Sequence, residues 1–143
     1  MTTLTDNFEE LLRSKKIPLK KNVIQKGQIL YNGNFRLSET QSLPFGIVFD
    51  SKDNPVIDYQ ITYHRLAYVA DYSKREAVLD LINELNQLKS GYYTVCLGGD
   101  GEIYLKLLGR TSDDILPVYE MMVFGSSIAK ALLPEISQVL DPA

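Results

Sequence analysis

The chain has 143 residues, 45% of them hydrophobic, and its formal charge is −3. That is the size of one compact domain spanning residues 1–143, able to bury roughly 68% of its unfolded surface without a disulfide or metal. A pI of about 5.1 argues against a dedicated nucleic-acid binder, and the single cysteine, Cys96, has no partner for an internal disulfide or a metal cluster.

Residues 4–14 read as a short helix with Thr5 or Asp6 as N-cap, Phe8, Leu11 and Leu12 on one face, acids early and bases late, as the helix dipole prefers. The polar, acidic first turn precedes no cleavage site, and no run of about 18 apolar residues occurs. The expectation is a soluble cytoplasmic protein with no membrane segment. Pro18 ends the helix. Residues 13–26 hold Arg13, Lys15, Lys16, Lys20, Lys21 and Lys26 with no acid, which reads either as a solvated helix end and linker or as an anion or nucleic-acid contact.

From Gln28 onward the period switches to two. Ile29-Leu30-Tyr31 and Phe35-Arg36-Leu37 flank Asn32-Gly33, which predicts a tight hairpin or a bulge within one strand. Phe45 to Phe49 is an apolar strand, followed by a turn over residues 51–55. In the next strand Ile57, Tyr59, Ile61 and Tyr63 alternate with Asp58, Gln60, Thr62 and His64, the pattern of a sheet with one solvated face. The alternation weakens after His64 through Leu66 to Val69, where a bulge or an extra covered surface is expected.

Residues 73–88, SKREAVLDLINELNQL, carry a wide apolar helical face, with Ser73 and Glu76 spaced as a capping box and Gly91 placed to leave the helix at positive φ. A second hairpin follows: Tyr93, Val95 and Leu97 match Ile103, Leu105 and Leu107 across Gly98-Gly99-Asp100-Gly101. Residues 112–140 form the last helical stretch, capped near Ser112-Asp113. Pro117 fits its first turn if Asp114 is the cap, and Pro134 predicts a kink or break. The resulting order, α-β-β-β-α-β-β-α, is that of an α+β fold with helices packed on a twisted antiparallel sheet.

No motif supplies a catalytic constellation. The Gly-Gly-Asp-Gly string resembles the hairpin of guanosine-triphosphate cyclases, but its acid is displaced by Gly101, and the glycines suit a turn. His64 reads as a surface residue on the solvated strand face, because no serine, cysteine or acid is set beside it by motif. Cys96 reads as structural. Asp50, Lys52, Asp53 and Asn54 lack the glycine and closing glutamate of a calcium loop. What remains is the tyrosine content, which offers contact area at low entropy cost or simply follows strand preference.

The order of elements resembles the fold of the type III secretion chaperones. Within it residues 56–140 resemble the YbjN-type family of bacterial sensory transduction regulators. The resemblance rests on the helix Arg75 to Asn86, the strands Gly91-Tyr92-Tyr93-Thr94-Val95 and Gly101-Glu102-Ile103-Tyr104-Leu105, and the late proline of Leu132-Leu133-Pro134-Glu135-Ile136. It implies no catalytic residues, cofactor or metal. The expectation is therefore a non-catalytic, chaperone-like or regulatory module, a homodimer that binds a protein or peptide partner, with contacts drawn from Tyr59, Tyr63, Leu79, Leu88, Tyr92 and Tyr104. The alternative is a regulatory domain taking a small anionic ligand at Lys20, Lys21 and Lys26.

Overall fold

The computed structural model describes residues 4–24, 27–50 and 55–140. In chain order these form α1 (Leu4–Ser14), β1 (Lys20–Val23), β2 (Ile29–Arg36), β3 (Ser42–Phe49), β4 (Ile57–Tyr68), α2 (Arg75–Leu88), β5 (Thr94–Leu97), β6 (Glu102–Thr111) and α3 (Leu116–Leu140). The described strands make one antiparallel sheet in the order β1-β2-β3-β4-β6-β5, so the protein is α+β.

Four strands precede α2 rather than three. The additional one, β1, was hidden in the basic segment: it is four residues long, mostly exposed, and has Val23 as its single large apolar side chain. Neither the hairpin nor the bulge considered at Asn32-Gly33 forms: the two apolar runs belong to one strand, β2, and Gly33 pairs with Phe45 in unbroken register. A Cβ at Gly33 would lie 2.5 Å from Leu19 Cδ2, so the glycine serves close approach of the incoming chain. The chain reverses instead over Leu37–Gln41, where the Leu37 and Ser38 amides donate to the Gln41 carbonyl.

One face of the sheet carries the core. Ile29, Tyr31, Leu43, Ile47, Phe49, Ile61, Tyr63, Ile103 and Leu105 alternate inward along the strands and are buried. Against them α1 inserts Phe8, packed edge-on to Tyr31 and Phe49 with ring centroids 5.1 and 5.2 Å away. Val78, Ile82 and Leu85 of α2 and Val118, Met122, Ala129, Leu132 and Ile136 of α3 complete the cluster.

Several helix ends differ from expectation. Thr5 and Asp6 lie inside α1 rather than capping it. Ser73 is not the cap of α2: Asp71 accepts hydrogen bonds from the Ser73 amide and hydroxyl, fixing a 3-10 turn over Tyr72–Lys74 that delivers the chain into the helix at Arg75. Those two bonds also hold the Asp71 carboxyl below its ordinary pKa. Beyond α2, Gly91 takes the expected positive φ, 60°. The cap of α3 is Asp114 and not Ser112 or Asp113: its carboxylate accepts from the Leu116 amide at 3.1 Å, which places Pro117 in the first turn. α3 then runs unbroken through Pro134, which sits with Lys130 on the exposed side, where water can satisfy the carbonyl that proline leaves without a donor.

Candidate interaction surfaces

The second face of the sheet carries the alternate residues of every strand. At its centre Gly46 and Thr62 leave a depression, and two adjoining troughs open from it to solvent. The larger, about 840 Å³, runs over Pro18, Lys20, Asn32, Pro44 and Gly46 to His64. The smaller, about 450 Å³, is lined by Leu30, Val48, Gln60, Thr62, Tyr104 and Lys106 and shares His64 with the first.

The wall at His64 is built by a bulge. The β4–β6 register shifts between Tyr63 and Ala67, and Arg65 takes a φ of 58°, a left-handed conformation that L-residues adopt at a cost of roughly 1–2 kcal/mol. Glu102 stabilises that conformation: its Oε2 accepts the Arg65 amide at 2.8 Å and lies 3.4 Å from His64 Nδ1. The Tyr104 ring flanks the imidazole at 6.4 Å, and the neighbouring Cys96 sulfur, helped by burial, holds the Tyr104 hydroxyl above its ordinary pKa. Sequence spacing could not pair His64 with Glu102, because they meet only across the bulge. The imidazole is in reach of a ligand in either trough and the carboxylate of one in the smaller, but the carboxylate is already committed to backbone.

Among the sequence-derived contact residues, Tyr59 and Tyr63 belong to the core and not to a surface. Tyr63 is 1% exposed, and its hydroxyl donates to the Met122 carbonyl of α3 at 2.5 Å. Tyr59 is 8% exposed and closes over Gly109, where a Cβ would fall 2.4 Å from its ring. Tyr104 lies on the open sheet face. Leu79, Leu88 and Tyr92 are exposed on the helical side. Leu79 and Leu88, nine positions apart, lie half a turn from one another, so α2 presents no continuous apolar stripe through both. Tyr92 packs edge-on against Phe124 of α3, with centroids 5.6 Å apart.

The basic segment does not gather its charges. Lys20 and Lys21 are neighbours on a strand and project to opposite faces: Lys20 lines the larger trough, while Lys21 pairs with Glu9 of α1 at 3.4 Å. Lys26 lies outside the described residues, as do residues 51–54 of the loop considered for a cation. Lys15 rests 5.8 Å over the Tyr119 ring. Among the described residues no group of three or more His, Cys, Asp and Glu is arranged to hold a metal. The Gly98-to-Gly101 string is a hairpin turn, with Gly101 at a φ of 93° and its amide bonded to the Gly98 carbonyl.

The third surface is the outward side of α3. By length and composition alone this helix could cross a membrane, with a mean hydropathy of 1.2 over its most apolar window, yet only 33% of that window is buried. No protein-family profile matches the chain, and no similar protein is found among curated sequences.

Proposed function

We propose that the chain is a non-catalytic, cytoplasmic protein-interaction module, acting as a homodimer, and that it holds a segment of a partner protein on the open face of its sheet. The observation that carries this is one-sided coverage: all the described helices share a core with one face, while the other offers adjoining troughs with an apolar floor at Leu30, Pro44, Gly46 and Val48. Around the floor, Lys20, Asn32, Gln60, His64 and Lys106 supply hydrogen-bonding groups, the arrangement of apolar centre and polar rim found at protein interfaces. The resemblance of residues 56–140 to the YbjN-type segments agrees with a binding role. The small-anion reading is weaker, since Lys20 and Lys21 diverge; a melting-point rise with inorganic phosphate would revive it.

The test is a photo-crosslinking residue placed at Val48 in one variant and at Asp80, on the exposed side of α2, in another. The expected result is a discrete protein adduct from Val48, of one mass, that Asp80 does not give. No adduct from Val48, or the same adducts from both positions, argues against the open face as the partner surface.

A further inference from the structure

We propose that the outward stripe of α3 is a two-fold interface with a second copy of this chain, the two helices packed antiparallel about the level of Gly125. This rests on the homodimer reading above and assigns its surface.

α3 spans 25 residues and contains three charged side chains, Glu120, Lys130 and Glu135. Glu135 is engaged within the protomer, 2.6 Å from Lys89 Nζ. The inward face buries Val118, Met122, Gly125, Ala129, Leu132 and Ile136. The outward face, recurring every three or four residues, is Leu116, Glu120, Val123, Ser127, Lys130 and Pro134, all exposed. Half of that outward stripe, Leu116, Val123 and Pro134, is apolar, where a solvated helix face is ordinarily polar. Here Leu116 is left 51% exposed and Val123 and Phe124 43% each, with Tyr92 extending the patch across the Phe124 ring.

The order of chemistry along the stripe says which partner fits. A two-fold contact sets a surface against itself, so the surface must be complementary to its own reversal. Reversed about position 125, Leu116 meets Pro134, Val123 meets Ser127, and Glu120 meets Lys130. Large side chains face small or compact ones, and the two charges, which have no ion-pair partner among the described residues, meet their opposites twice. A parallel pairing would instead place Glu120 on Glu120 and Lys130 on Lys130.

The test is sedimentation equilibrium of the full chain across a concentration series, comparing wild type with Glu120→Lys, Lys130→Glu, the double exchange and Leu88→Asp. These positions are exposed, and far-ultraviolet circular dichroism checks that each variant folds. The expected result is a wild-type dimer whose dissociation constant rises about tenfold in each charge variant, returns to near wild type in the double exchange, and is unmoved by Leu88→Asp. A wild-type dimer indifferent to the charge variants overturns the α3 interface while leaving homodimerisation standing. A wild-type monomer at every concentration overturns both, as does a monomer that partitions onto phosphatidylcholine vesicles through α3.

Discussion

Asn86 does for β5 what a further strand would do. Its side-chain amide donates to the Val95 carbonyl at 3.1 Å, and its oxygen accepts the Val95 amide at 2.7 Å, so a side chain on α2 occupies both outward backbone groups of Val95 in an edge strand. An unpaired edge invites pairing with another chain, and here the bidentate amide blocks it at Val95. The opposite edge, β1, is guarded differently, by its shortness and by Lys20 and Lys21. Asn86→Ala removes both bonds and returns the Val95 groups to water. The expected loss is about 1–2 kcal/mol in urea unfolding, with faster hydrogen exchange at the Val95 amide. Unchanged exchange at Val95 would show that the edge is held by something else.

At the scale of elements, α3 approaches the sheet through a notch at Gly125. A Cβ there would fall 2.4 Å from Tyr93 Oη and 2.6 Å from the Tyr63 ring, and both tyrosines are pinned because their hydroxyls donate to the α3 carbonyls of Met121 and Met122. Gly125→Ala gains about 1 kcal/mol of helix propensity but forces two bonded, buried rings to move, which costs about 1–3 kcal/mol. The net expectation is destabilisation, read as a lower urea midpoint at unchanged m-value; an increase in stability would mean that the helix rides over the rings more freely than the contacts imply. Much of this architecture is legible in the sequence: the alternation in β4 with His64 opposite Tyr63, the apolar face of α2 and the Gly98–Gly101 turn are local patterns. What is not legible depends on long-range contact. Gly33 looks like a turn residue until Leu19 is seen lying over it, and β1 has too little apolar content to announce a strand; the Asp71 cap is the local exception, where one carboxylate outcompetes Ser73 by reaching two donors at once. The same limit applies to the surfaces. Tyr63 looks like an amphipathic contact residue because its polar tip needs a partner, and that partner is a helix carbonyl 59 residues away. The His64–Glu102 pairing requires the bulge, and the outward face of α3 becomes conspicuous only once its inward face has been assigned.

For the whole molecule, the tyrosines set how the fold meets alkali. Burial raises the pKa of Tyr31, Tyr59, Tyr63 and Tyr93 above the ordinary phenol value, with Glu9 adding to the effect at Tyr31 and the neighbouring tyrosines at Tyr93. A raised pKa means that the folded state keeps the phenol neutral where the unfolded chain would ionise it. Below about pH 10 both states are neutral and the contribution is fully present; above it the unfolded chain gains the proton-release term and stability falls as pH rises toward the folded values. For Tyr63 and Tyr93, both almost fully buried, the loss approaches about 1.4 kcal/mol per pH unit each, which over about two to three units removes the lower end of a typical stability of about 5–15 kcal/mol. Alkaline unfolding is therefore expected to be cooperative, with a late group of phenolate absorbance appearing together with loss of far-ultraviolet circular dichroism. Tyr63→Phe and Tyr93→Phe cut both ways: each deletes a hydrogen bond to α3 and lowers stability at neutral pH by about 1 kcal/mol, yet each removes an ionising group and flattens the decline above pH 10. The double variant should then start less stable than wild type and lose stability less steeply with pH. If all nine tyrosines ionise before any circular dichroism is lost, the rings are not enclosed in the way that their hydrogen bonds to α3 require.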